Sequence, residues 1–199
     1  MISVIDYGVG NLFSMTNALR KTGSKVDVVK DPDEILASDG LVLPGVGNFG
    51  AAALNLTPIA DAVHGAAESG VPILGSCLGM QLLFEGSEEG EGEGLGLLNG
   101  WVRGFQGDLK TPHMGWNNIK FTRNSPLLDG IPNGGYFYFV HSYYPDPENS
   151  DDTLAETVYG NSFTSLVERG NIYGAQFHPE KSGEQGATLL SNFVKLVRR

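Results

Sequence analysis

The sequence predicts an α/β fold, an open and mostly parallel central sheet with helices on both faces, carrying an antiparallel β extension in its second half. Three observations lead there. Short β-rich apolar runs alternate with helical patterns through the first half, as parallel strands joined by crossover helices require. The second half changes to strand after strand, separated by glycine, asparagine and proline. The chain then closes on an amphipathic segment from Glu184 to Arg199, with Leu189, Leu190, Phe193, Leu196 and Val197 on one side. A chain of 199 residues is expected to form one domain, 1–199, and to bury an ample core without disulfides or a structural metal.

In order, "ISVID" reads as the first strand and Asn11 to Lys21 as the first helix, with Asn11 placed to start it and Gly23 to stop it. "KVDVV" is the second strand, a short helix follows Pro32, and "GLVLPG" is the third strand. Helical stretches run to Ser69, "VPILG" is a buried strand, and "LGMQLLFE" begins a helix. The acidic "EGSEEGEGEG" is low in complexity and reads as an exposed, mobile loop. Beyond it, "NNIKF", "YFYFVHSY", "LAETVY", "FTSLVE" and "IYGAQFH" read as strands.

Charge and apolar content exclude several classes. With 13 Lys+Arg against 23 Asp+Glu the net charge is −10, which repels nucleic acid and anionic membranes. No apolar run approaches the roughly 20 residues of a membrane span, and "MISVIDYG" does not resemble a secretory leader. The expected location is cytoplasmic. Nothing spaces Cys and His for zinc, and no metal or cofactor is expected.

Cys77 is the only cysteine. It falls between Gly75 and Gly79, where a buried strand turns into a helix, so "GSCLG" has the form of a nucleophile elbow. The glycines permit a tight turn and close packing, and the helix start favours a thiolate. The alternative is a small buried side chain. Such a nucleophile needs a base and an orienting acid. Of the four histidines, His64 reads as a surface residue beside Glu68, and His113 and His141 as core or loop residues. His178 stands apart. In "AQFHPEKSG" it ends a strand two residues before Glu180, and a period of two places both side chains on one face. Oxyanion donors are also required. "LVLPGVGNFG" offers the backbone of Gly45, Val46 and Gly47 at a strand end, although a plain glycine turn would look the same; no Lys-Ser/Thr follows to make it a phosphate loop.

"GSCLGMQ", "PGVGNFG" and "FHPEKSG" together resemble the class I, triad-type glutamine amidotransferases, whose fold is flavodoxin-like. "IDYGVGNLFS", "PHMGWNNI" and "YFYFVHSYY" narrow the resemblance to the family of glutaminase subunits of imidazole glycerol phosphate synthases. The resemblance covers the chain from Ile5 to the last helix. It implies hydrolysis of glutamine through a γ-glutamyl thioester on Cys77, with His178 as acid/base and Glu180 as its orienter. Gly45, Val46, Gly47 and the N–H of Leu78 would form the oxyanion hole, and Gln81, Ser142 and Tyr143 would hold the amino-acid end of L-glutamine. It further implies a (β/α)8-barrel cyclase subunit as partner in a heterodimer, which uses the ammonia to make imidazole glycerol phosphate and a purine precursor, aminoimidazole carboxamide ribotide. Asn11, Trp116, Tyr136, Tyr138 and Lys181 match positions facing that partner; they also read as a helix cap, core aromatics and a solvated charge. Ser76 departs from the family pattern, which has a branched apolar residue there. The competing readings are a cysteine hydrolase or peptidase, a noncatalytic relative, and the glutaminase of another biosynthesis such as that of aminobenzoate or pyridoxal phosphate.

Overall fold

A computed structural model of the chain describes residues 1–198. Arg199, which the sequence places at the end of the last helix, lies outside the described residues. The first half alternates as its pattern demands: β1 (Ile2–Ile5), α1 (Leu12–Arg20), β2 (Val26–Val29), α2 (Pro32–Leu36), β3 (Gly40–Gly45), α3 (Phe49–Leu56), α4 (Ala60–Glu68) and β4 (Ile73–Cys77). The helix starts are chemically marked. The Asn11 side chain accepts from Ser14 N at 3.1 Å, Asn48 accepts from Ala51 N at 3.1 Å, and Asp31 with Glu34 forms a capping box before Pro32. Gly23 follows α1 at φ +82°.

After β4 come α5 (Leu78–Gln81), β5 (Gly86–Ser87), β6 (Gly100–Gly104), β7 (His113–Asn118), β8 (Lys120–Phe121), β9 (Tyr136–His141) and β10 (Tyr143–Pro147). The chain ends with β11 (Thr153–Tyr159), β12 (Asn161–Arg169), β13 (Ile172–Ala175) and α6 (Gly183–Val197). The main sheet runs β2-β1-β3-β4-β13-β12-β11-β8. Strands β2, β1, β3, β4 and β13 are mutually parallel, and β12, β11 and β8 continue the sheet antiparallel. Two smaller sheets, β10-β6-β5 and β7-β9, stand beside it.

Alternation along the strands divides the core. Leu41 and Leu43 of β3 point into one apolar layer with α3 and α4, while Val42 points into the other with α1 and α6. Leu189, Leu190 and Phe193 of α6 are fully buried in that second layer, each worth about 1.5–3 kcal/mol. Leu196 and Val197 pack at its edge.

Four local expectations change. The helix after Cys77 is only Leu78–Gln81, because the chain turns at Leu82–Phe84 to bury all three side chains. The acidic segment is not a free loop: Gly86 and Ser87 pair with β6, and the Glu88 carboxylate accepts from Gly104 N at 2.9 Å and Arg103 at 3.0 Å. Its glycines let it fold back on itself, and Gly94 N donates to Glu85 O at 2.9 Å. The strand placed at "NNIKF" begins earlier, at His113, and breaks at Ile119 so that Lys120–Phe121 can join the main sheet. "YFYFVHSY" divides at Ser142, and its halves pair with different partners.

Candidate active site

Cys77 ends β4, the strand flanked by β3 and β13. The carboxyl ends of parallel strands form a crevice in such sheets, and here they present Gly45, Cys77 and the segment after Ala175 side by side. Gly45 is in register with Cys77, and Ala175 with Ser76. Ser76 is buried and faces Pro44 and Ala175 across the ladder. Cys77 adopts φ +52°, the only non-glycine residue of positive φ among the described residues. That conformation costs on the order of 1–3 kcal/mol in an L-residue, and it throws the thiol out of the strand line. The turn closes against β3: a Cβ on Gly79 would overlap Leu43 O, and one on Gly75 would lie 2.6 Å from Gly79 O.

His178 arrives beside it from the loop after β13. Its partner carboxylate is reached differently from the expected strand alternation. Strand β13 ends at Ala175, and Pro179–Lys181 forms a 3-10 turn that brings Glu180 back. His178 Nδ1 and Glu180 Oε1 meet at 3.0 Å, with side chains only 2% and 4% exposed. His178 Nε2 is buried with no hydrogen-bond partner, so that nitrogen is available to the Cys77 thiol. Burial opposes the imidazolium, yet Cys77 and then Glu180 outweigh it and lift the ring to about 9. His178 therefore carries its proton at neutral pH.

The backbone of His178 is fixed to β9. His178 N donates to Tyr138 O at 2.9 Å, Tyr138 N donates to Ser182 Oγ at 3.0 Å, and Ser182 Oγ donates to His178 O at 2.6 Å. Cys77 Sγ in turn approaches Val140 O of β9 at 3.8 Å. Sequence reasoning missed Ser182 and Gln176, though both sit inside the quoted "AQFHPEKSG"; no local signal sets either apart from its neighbours.

Beside the thiol opens a cleft of about 270 Å³ lined by Val46, Gly47, Leu78, Gln81, Ser142 and Tyr143, with Glu89 on its wall. The structure thus gathers the sequence-predicted oxyanion and substrate residues on one cavity, Gly45 lying in the strand just behind Val46. Tyr7 supports that strand end, donating to Pro44 O at 2.6 Å; burial first, and Cys77 second, push its phenol up. Glu89 was hidden in the sequence among the other acids of its segment. Its carboxylate accepts from Phe49 N at 2.8 Å, which anchors the segment over the cleft.

Of the other histidines, His64 departs from its expected surface position and is half-buried on α4. His113 and His141 are buried core residues that bond to each other, Nδ1 to Nε2, at 3.0 Å. His141 Nδ1 faces Tyr143 O at 2.8 Å, so it donates, and its Nε2 must accept from His113. Burial lowers His113 to about 4 and His141 to about 3. Among the described residues no cluster of His, Cys, Asp and Glu could hold a metal ion, and no helix is long and apolar enough to cross a membrane.

Of the residues matching a partner-facing position, Trp116, Tyr136 and Tyr138 share one face of the β7-β9 sheet. Strands β7 and β9 pair with Trp116 opposite Tyr138 and Asn118 opposite Tyr136. Their inner residues Phe137 and Phe139 are buried, while Met114, Trp116 and Tyr136 are 63%, 56% and 55% exposed. The aromatics expected as core on the alternative reading are therefore outside it. Lys181 is exposed, and Asn11 is exposed while also capping α1.

The family described as "Glutamine amidotransferase class-I" matches residues 3–197. The chain is 50% identical to "Imidazole glycerol phosphate synthase subunit HisH" of Moorella thermoacetica, over 99% of this chain and 95% of the relative. It is 46% identical to the protein of the same name from Methanocaldococcus jannaschii, over 99% and 100%. Among solved structures, a glutamine amidotransferase superposes with a TM-score of 0.79 at 20% identity, covering 100% of this chain and 99% of that one. PurLQS from Thermotoga maritima gives 0.76 at 20% identity, over 98% and 97%; both likenesses concern the fold. With the family matched along nearly its whole length, the chain belongs to the class-I glutamine amidotransferases.

Proposed function

We propose that the chain is the glutaminase subunit of an imidazole glycerol phosphate synthase, a single catalytic domain that hydrolyses L-glutamine and passes the ammonia to a barrel-fold cyclase partner. The observation that carries this reading is the Cys77 thiol on the wall of a cleft of about 270 Å³, backed by a buried His178 that Glu180 holds at 3.0 Å and that Cys77 itself helps to charge, in a chain half identical to HisH relatives.

In this reading Cys77 Sγ, its proton already held by His178, attacks the carboxamide carbon of glutamine. The oxyanion that forms takes donors from the Gly45–Gly47 backbone and from Leu78 N, which belongs to a first helical turn whose N–H groups lack intrahelical partners. His178 Nε2 then protonates the amide nitrogen as the C–N bond breaks, and ammonia leaves. Water adds to the thioester with His178 accepting its proton, the C–S bond breaks, and glutamate departs. Glu180 holds the imidazole by its Nδ1 throughout. On the same cleft Gln81, Ser142 and Tyr143 hold the amino-acid end, and the Glu89 carboxylate suits the α-ammonium.

The cyclase partner docks on the β7-β9 face, where Trp116, Tyr136, Tyr138 and Lys181 stand exposed or partly exposed, with Asn11 at the start of α1. Strand β9 runs from that face into the cleft, so docking and catalysis share one element. The test is to mix the chain with a barrel cyclase and assay glutamine-dependent formation of imidazole glycerol phosphate. Glutamine-dependent product is expected; product from ammonium salts only, with none from glutamine, would overturn the reading.

A further inference from the structure

We propose that Gln176 is a further catalytic residue of this site, an amide N–H donor to the nucleophilic sulfur whose orientation Gln81 locks. The inference rests on Cys77 being the nucleophile. Gln176 Nε2 lies 3.7 Å from Cys77 Sγ, within reach of an N–H···S bond, and the side chain is fully buried.

An amide can be turned end for end, so its neighbours must decide which end faces the sulfur. They do so here without ambiguity. Gln81 Nε2 stands 2.9 Å from Tyr143 O and 3.1 Å from Gln176 Oε1. The Tyr143 oxygen can only accept, so Gln81 presents its NH2 group there, and its second hydrogen goes to Gln176 Oε1. Turning Gln176 over would set two NH2 groups against each other and an oxygen against the sulfur. Tyr143 O is itself pinned, because His141 Nδ1–H donates to it. His141 accepts from His113, whose other nitrogen takes a bond from Asn117 Nδ2 at 3.2 Å. The chain from β7 to the sulfur is thus a single directed set of donors and acceptors in which Gln176 supplies the last N–H.

The chemistry uses that donor twice. It stabilises the sulfur as an anion once His178 holds the proton, and again when the thioester carbon–sulfur bond breaks and the electron pair returns to sulfur. Between those moments the acylated sulfur is neutral and the bond matters little, so the stabilisation is selective for charged sulfur.

Because Cys77 is the only cysteine, iodoacetamide alkylation of the full chain reads it alone. The rate is measured against pH for the wild type, Gln176→Leu and Gln176→Glu, with folding checked by circular dichroism. The other titratable groups about the sulfur, His178, Glu180 and Tyr7, are retained in every variant. In the Leu variant the midpoint of the rate profile should rise by about one pH unit, the size of one charge-assisted hydrogen bond. The Glu variant keeps an acceptor for Gln81 but sets a carboxylate against the sulfur, and its midpoint should rise further. Glutaminase kcat should fall in both with KM little changed. A folded Leu variant whose profile superimposes on the wild type overturns the proposal; if that variant does not fold, an unmoved midpoint in the Glu variant does so. Absence of any pH-dependent alkylation in the wild type would instead overturn the assignment of Cys77 as nucleophile.

Discussion

Tyr138 and His178 are tied twice through the backbone, once directly at 2.9 Å and once through the hydroxyl of Ser182. A strand that carries an exposed aromatic edge therefore also fixes the height of the histidine over the sulfur. Removing the hydroxyl frees one side of that clamp. Ser182→Ala should lower glutaminase kcat on the order of 10-fold and leave KM nearly unchanged, since the loss is one of positioning. Ser182→Thr should recover most of it. Steady-state kinetics of the three proteins decides; equal rates would show that the clamp does not position His178.

Cys77→Ala and His178→Ala should abolish glutamine-dependent turnover, while Glu180→Gln retains a residue of activity because the carboxylate orients and does not bond to substrate. The Cys77→Ala protein, paired with the cyclase, should still support synthesis from ammonium salts. Equal, mild losses in all three variants would place the chemistry elsewhere.

The pH profile carries a signed expectation for Glu180. His178 is lifted to about 9 with help from Glu180, so the imidazolium survives into mild alkali. Neutralising the carboxylate in Glu180→Gln removes a partner of the charged form, and the alkaline limb of kcat/KM should move toward lower pH. A limb that stays in place would assign it to another group.

Acid stability has its own sign. His113 and His141 are lowered in the folded state to about 4 and about 3 from an ordinary 6.5, so the unfolded chain binds more protons as pH falls below 6.5. Stability from their neutral bonding is present above that value and is lost progressively down toward about 3. Urea unfolding across this window should weaken with acid, and His141→Gln, which cannot be protonated, should flatten the slope. An unchanged slope would show that other groups govern acid unfolding.

Partner binding should depend on the β7-β9 face. Trp116→Ala should weaken the complex roughly 10- to 100-fold, the usual scale for an exposed aromatic anchor, while sparing the fold, because Trp116 is 56% exposed. Titration calorimetry with the cyclase measures this, and unchanged affinity would move the interface elsewhere.

Much of this was readable in the residues. The alternation of short apolar runs with capped helices required parallel strands, and Asn11 and Gly23 bound α1 where their chemistry says they should. Cys77 was conspicuous because Gly75 and Gly79 bracket it. Longer-range facts were not visible. The pairing of His178 with Glu180 comes from a 3-10 turn rather than from strand alternation, a difference that local pattern does not register. Glu89 gains its place from a bond to Phe49 N, 40 residues away in sequence, and no local signal separates it from Glu88 or Glu91. Gln176 is identifiable only once Gln81 is seen beside it, across 95 residues of chain.

The sheet order has a consequence for how the enzyme is born. Strand β4 must wait for β13, which is made last among the strands, before its second edge is filled. Gln176 is synthesised 99 residues after Cys77, and the histidine emerges later still. On the ribosome about half of the chain is thus made while the thiol is present and the histidine proposed as its base is absent, and a chain broken off in that interval carries the thiol without its partner. On the proposed mechanism, ammonia release therefore waits for β13 and the segment after it.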